Sequence, residues 1–148
     1  MKAILLTSII TILLSIGNIY AGNPKGIVYS NDVVSDRGLI RESVLLNEKT
    51  SQPLERVIYH YNNEGVMESR VVYKWKPDFG WIAFQKYEYE CNREGKVINL
   101  TFTRWEDKLN TWSNRSEQLL HIYDANGKFL ALKQFEINND MNNLITQR

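Results

Sequence analysis

The sequence repeats a four-residue turn motif, and the fourth-position glycines are spaced 27, 30 and 32 residues apart. The clear copies are Asn62–Gly65, Asn92–Gly95 and Asp124–Gly127, and Ser35–Gly38 is a more degenerate copy. Asn or Asp in first position can accept a hydrogen bond from the backbone two residues on. Gly in fourth position can take the positive φ that closes a type I turn with a bulge. The motif therefore predicts a chain built from repeated β-hairpins.

The residues around these turns alternate with the two-residue period of strands, not the 3.6-residue period of helices. The alternation changes parity after the second clear turn, where the apolar set is Ile98, Leu100 and Phe102, so it does not show which face is buried. Because every connection is short, we expect an all-β antiparallel up-and-down meander, either an open twisted sheet or a partly curled one. The predicted strands are 27–34, 39–46, 54–61, 66–75, 81–90, 96–105, 112–123 and 128–137.

The N-terminus has the pattern of a signal peptide. Lys2 precedes an apolar stretch from Ile4 to Ile16 that is interrupted only by hydroxyl residues, and Gly22-Asn23-Pro24 follows as a breaker. We expect cleavage after Ala21, with an uncleaved anchor helix as the alternative. The predicted organisation is a signal peptide over 1–21, a hairpin-repeat domain over 22–137 and a polar tail over 138–148. Such a chain acts outside the cytoplasm, in the periplasm or as a secreted protein.

Charge and cysteine content limit the classes of function. The chain has 18 Lys and Arg against 17 Asp and Glu, and a balanced surface argues against electrostatic capture of nucleic acid. No integral membrane span is expected once the leader is removed. Cys91 is the only cysteine, so no internal disulfide can form, and we interpret it as a buried apolar residue.

No pattern in the sequence predicts a catalytic residue, a metal site or a cofactor. His60 and His121 lie in no recognisable motif and are one residue out of register in the repeat alignment, so they need not share a face. A polymer hydrolase acting through two carboxylates is the alternative enzymatic hypothesis. Its candidate carboxylates are Glu64, Glu68, Glu88, Glu90 and Glu94.

Aromatic residues give the best functional lead. Trp75 and Trp81 bracket one predicted loop, and Trp105 and Trp112 bracket another, so each pair should face across its strand pair. With Tyr73 they are the candidate ligand-binding residues, because a sheet that displays aromatic rings suits a glycan or a protein. The alternative is that they are cross-strand core residues, and burial of all four tryptophans would contradict a binding role. A free edge strand is a further route to a partner.

Two phrases in the repeats resemble known proteins. Residues 61–65 and 123–127 resemble the Tyr-Asp-x-x-Gly signature of YD-type repeats in bacterial surface proteins. Residues 56–137, with Val72-Tyr73-Lys74-Trp75 between such phrases, resemble a family of small exported Bacteroidetes proteins of unknown function. The resemblance implies an extracytoplasmic β-protein and carries over no catalytic or binding residue. The sequence thus predicts an exported, non-enzymatic binding or surface-interaction protein.

Overall fold

The computed structural model describes residues 26–139. The expected leader lies outside these residues, as does most of the expected tail. Every predicted strand is present, and each boundary is within one residue of its predicted position. The strands are β1 (Gly26–Ser35), β2 (Gly38–Asn47), β3 (Pro53–Tyr61), β4 (Met67–Lys76), β5 (Gly80–Cys91), β6 (Val97–Glu106), β7 (Thr111–Tyr123) and β8 (Phe129–Asn138).

The eight strands form one open sheet in the order of the chain, and each strand pairs antiparallel with the next. The predicted all-β meander is therefore confirmed. The two ends of the described chain lie at opposite edges of the sheet, in β1 and β8.

The three clear turn motifs close in the same way. In the β5–β6 hairpin, the Gly95 amide donates to the Asn92 carbonyl at 2.9 Å, and the Asn92 Oδ1 accepts from the amides of Glu94 and Lys96. Gly95 has a φ of +74°. The strand register shifts by one residue beside each of these turns, as expected for a turn with a bulge.

The degenerate copy at Ser35–Gly38 closes differently. Ser35 pairs directly with Gly38, so only Asp36 and Arg37 form the loop. A Cβ on Gly38 would lie 2.0 Å from the Tyr61 carbonyl oxygen, so glycine is needed here because the end of β3 passes close to it. Asn63 then donates its side-chain amide to the Asp36 carbonyl at 2.8 Å, which joins two neighbouring hairpin ends.

One face of the sheet carries the core, and we call it the core face. Tyr87 lies opposite Phe102, and residues paired across strands share a face. Arg70 lies opposite Tyr87, so it points to the core face, and Val72, two residues further along β4, points to the same face. The buried apolar residues are Val57, Val72, Tyr87, Tyr89, Leu100 and Phe102.

This core is confined to the middle of the sheet, from β3 to β6. Within residues 26–139 no other element covers either face. All ten residues of β1 are exposed, and β8 is exposed at all but Ile137. The described part of the chain therefore has two wide faces and two edges that none of its own elements covers.

Candidate functional site

The first tryptophan pair lies at the base of the β4–β5 loop. Trp75 and Trp81 are register partners, and Lys76 pairs with Gly80 directly beyond them. Gly80 has a φ of +76°, which lets the chain turn back within a few residues. The ring centroids are 5.2 Å apart and the ring planes meet at 75°. This is the edge-to-face contact that aromatic pairs favour.

The second pair repeats this arrangement at the β6–β7 loop. Trp105 and Trp112 are register partners, with ring centroids 5.1 Å apart and planes at 83°. Lys76 and Asp107 form an ion pair at 2.5 Å between the two loops. The predicted contact across each strand pair is confirmed, and both pairs lie at the same end of the sheet.

All four tryptophans lie on the face opposite the core. Tyr73 and Trp75 alternate along β4 with the buried Val72, so their side chains point to the other side of the sheet. Lys86 alternates with buried Tyr87 in β5, and its Nζ is 5.6 Å from the centre of the Trp112 ring. The register therefore groups the predicted binding residues on one face, which we call the tryptophan face: Tyr73, Trp75, Trp81, Trp105 and Trp112.

None of these five aromatic side chains is buried. Trp75 is 37% exposed, and the other four are half-buried. In an edge-to-face pair, one ring packs its edge on its neighbour and keeps ring surface available. The condition that would have contradicted a binding role, burial of all four tryptophans, is not met.

Cations lie beside the aromatic rings of this face. The Arg56 guanidinium is 5.7 Å from the centre of the Tyr73 ring and also pairs with Glu42 at 2.5 Å. Lys86, next to Trp112, forms an ion pair with Glu88 at 3.0 Å. Sequence reasoning missed Arg56 and Lys86, because their positions beside the rings depend on the register between strands. The tryptophan face therefore offers aromatic rings on which a flat ligand can stack, with charged groups at the margin.

The two histidines lie on opposite faces. His60 Nδ1 is 3.1 Å from Ser69 Oγ on the tryptophan face. His121 lies two residues after Leu119, which packs on the core, so it is on the core face, and its ring is 6.1 Å from that of Phe129. Burial lowers the pKa of His121. The pair therefore shares no site, and residues 26–139 contain no cluster of three His, Cys, Asp or Glu side chains suited to a metal.

The five candidate carboxylates of the hydrolase hypothesis are all exposed. Glu88 pairs with Lys86, and Glu94 pairs with Lys96 at 2.7 Å. A shallow depression of about 130 Å³ lies between β6, β7 and β8. Ion pairs cross it, with Arg104 to Glu117 at 3.7 Å and Arg115 to Glu136 at 3.5 Å. In these pairs each carboxylate is held by a cation of the same chain.

Cys91, interpreted from sequence as a buried apolar residue, is half-buried, and burial raises its pKa. No helix within residues 26–139 has the length and apolar character needed to cross a bilayer.

The fold and this site together define a class, the single-sheet all-β meander with its tryptophans on the face away from the core.

No model of a known protein family matches the chain, and no curated protein matches it. A protein of unknown function from Bacteroides fragilis has a similar structure, with 15% identity and a TM-score of 0.48 over 80% of this chain and 86% of that one.

Two DUF3836 family proteins are also similar in structure. The one from Parabacteroides distasonis has 12% identity and a TM-score of 0.37 over 81% of this chain and 97% of that one. The one from Bacteroides vulgatus has 9% identity and a TM-score of 0.41 over 73% and 97% of the two chains. Similarity this distant says nothing about the function of this chain.

Proposed function

We propose that this chain is an exported, non-enzymatic binding protein whose tryptophan face takes up an extracellular glycan. The observation that carries the proposal is the grouping of four tryptophans and Tyr73 on the face that the core does not use. The proposal of export rests on the signal-peptide pattern of residues 1–21.

A glycan fits this surface for a physical reason. The faces of a pyranose ring carry C–H groups that pack on flat aromatic rings, and its edges carry hydroxyl groups. The indole rings supply the flat apolar area. Arg56 and Lys86 lie at its margin and can donate hydrogen bonds to the hydroxyl oxygens of the sugar. A sheet holds these rings in fixed positions, which lowers the entropy cost of binding.

The test uses the protein purified from the exported fraction of cells that express the full sequence. N-terminal sequencing should find a chain that starts at Gly22. A glycan array and polysaccharide pull-down then identify a ligand, and intrinsic tryptophan fluorescence follows its titration. We expect a saturable shift that Trp75→Ala and Trp105→Ala each weaken by at least about tenfold, the loss of roughly 1.4 kcal/mol.

Two exposed apolar residues provide matched controls. Phe79 is 76% exposed in the β4–β5 loop and Leu109 is 68% exposed in the β6–β7 loop, so each lies beside a tryptophan pair. Phe79→Ala and Leu109→Ala should leave binding unchanged. A folded protein that binds no glycan would overturn the proposed ligand and direct the search to a protein partner.

The same ligand tests the non-enzymatic part of the proposal. A binding protein leaves the bound glycan intact, so mass spectrometry should recover it at its original length. Release of shorter products, abolished by Glu88→Gln or another of the five Glu→Gln variants, would instead identify a hydrolase.

A further inference from the structure

The edge strand β1 lacks the features that usually keep an edge from pairing. Edge strands carry a row of unpaired backbone groups, and proteins commonly protect them with Pro, with Lys, with bulges or with a covering element. β1 reads GIVYSNDVVS, and all ten residues are exposed. It contains no Pro, Lys or Arg, and its ten pairs with β2 run without a register shift.

The single charged residue of β1 is paired with a cation of its own chain. Asp32 accepts from Arg41 Nε at 2.8 Å and from Arg41 Nη2 at 2.7 Å. By contrast, the opposite edge β8 carries Lys133 and Glu136, and its ladder has an irregularity at its start. The two edges therefore differ, and β1 is the one suited to an uncharged strand.

We propose that two copies of this chain pair through β1, antiparallel, to form one continuous sixteen-stranded sheet. The proposal is independent of the glycan hypothesis. A second copy fits this edge because one register of β1 with itself pairs its apolar residues and keeps the two Asp32 carboxylates from facing each other.

Two-fold symmetry limits the registers that are available. Residues opposite each other must point to the same face, so odd-numbered residues meet odd-numbered ones and even meet even. With Asn31 opposite Asn31 on the symmetry axis, Val28 meets Val34 and Tyr29 meets Val33, each twice. Cross-strand pairs of this kind, aromatic with β-branched or two β-branched residues, stabilise a sheet.

The neighbouring registers are worse. A shift that centres Ser30 on the axis places Val28 opposite the charged Asp32. A shift in the other direction, centred on Asp32, places the two Asp32 carboxylates opposite each other, and like charges in that position destabilise a sheet. The register centred on Asn31, in which each Asp32 faces Ser30, avoids both of these unfavourable pairings.

The first test is sedimentation equilibrium of the mature protein. We expect a dimer that Asn31→Lys weakens by at least about tenfold, because it brings two ammonium groups together on the axis. Asn31 is exposed on β1 opposite Glu42, which is already held by Arg56, so the substitution leaves the monomer folded. Ala131→Lys, which adds the same charge at the other edge, is the matched control and should not change the dimer.

Cross-linking tests the register directly. Paired residues across a β-ladder have Cα atoms ~4.5–5.5 Å apart, which a disulfide can span. Asn31→Cys should therefore form a disulfide-linked dimer with oxygen as oxidant, while the unsubstituted chain, with half-buried Cys91, serves as the blank. The proposal would be overturned by a monomer at all concentrations or by a dimer that Asn31→Lys does not weaken. It would also be overturned if Ser30→Cys formed the cross-link and Asn31→Cys did not.

Discussion

At the residue scale, two neighbouring core tyrosines differ in how their hydroxyl groups are satisfied. The Tyr87 hydroxyl donates to Gln85 Oε1 at 3.1 Å, and the Arg70 guanidinium is 4.3 Å from the centre of its ring. The Tyr89 hydroxyl is buried, and it has no hydrogen-bond partner within the described residues. Burial raises the pKa of Tyr89 to about 12, from the ordinary value of 10.0.

This difference predicts different effects of the same substitution on the two tyrosines. Tyr87→Phe should lower the free energy of unfolding by about 1 kcal/mol, because it removes a satisfied hydrogen bond. Tyr89→Phe should leave it unchanged or raise it, because it removes a buried hydroxyl that has no partner. Urea unfolding at pH 7.5 measures both. Equal losses in the two variants would contradict the assignment of Tyr89.

The raised pKa of Tyr89 also fixes the sign of a pH effect. The unfolded chain releases the phenol proton near pH 10, whereas the folded chain holds it to about pH 12, so stability falls as the pH rises between these values. The Tyr89→Phe variant should lose less stability than the unsubstituted protein over that interval. Urea midpoints at pH 9 and pH 11 provide the comparison.

The sequence could not identify the buried residues. In β4 the more apolar set of alternating residues, which includes Tyr73 and Trp75, faces away from the core, while Arg70 and Lys74 share the core face with Val72. The aliphatic stem of a basic residue can cover apolar surface while its charged group is satisfied. Lys74 reaches Glu55 at 2.5 Å, and Arg70 lies over Tyr87. Such contacts depend on cross-strand register, which the apolar pattern alone does not show.

At the element scale, the turn motif explains why the strands could be predicted so closely. Each clear copy supplies an Asn or Asp side chain that accepts two backbone amides and a glycine with positive φ. These are local requirements, so a short stretch of sequence reveals them. The degenerate copy was misleading because Gly38 is needed for the approach of Tyr61, a residue of another hairpin.

Gly95 gives a clean measure of this local requirement. Its φ is +74°, and a Cβ built there meets no atom within 4 Å, so any cost of substitution comes from the backbone angle alone. Gly95→Ala should destabilise the protein by about 1–2 kcal/mol, and Gly95→Asn by less, because Asn adopts this conformation more readily. Thermal or urea unfolding checks the order. A Gly95→Asn variant as unstable as Gly95→Ala would contradict this explanation.

On the scale of the whole molecule, stability should be greatest in the middle of the sheet. The buried apolar residues belong to β3–β6, whereas β1 and β8 bury almost nothing. Regions with few buried apolar contacts open locally at low free energy. Amide hydrogen exchange should therefore be slowest in β5 and β6 and fastest in β1 and β8.

This exchange experiment is best done on the Asn31→Lys variant, so that pairing between copies does not protect β1. Uniform exchange at one slow rate in all eight strands would show a single cooperative unit and contradict the gradient. Comparison with the unsubstituted protein at high concentration then isolates the protection that a second copy gives to β1.

The order of the strands also determines how the molecule would respond to tension. Because each strand bonds only to the strands before and after it in the chain, the ends of the described chain lie at opposite edges of the sheet. A force that draws these ends apart acts on one outermost strand at a time, and the hydrogen bonds of that ladder break in succession instead of sharing the load. The protein would therefore lengthen hairpin by hairpin under a modest pull, and the contact between Trp75 and Trp81, in the central β4–β5 ladder, would be among the last to separate.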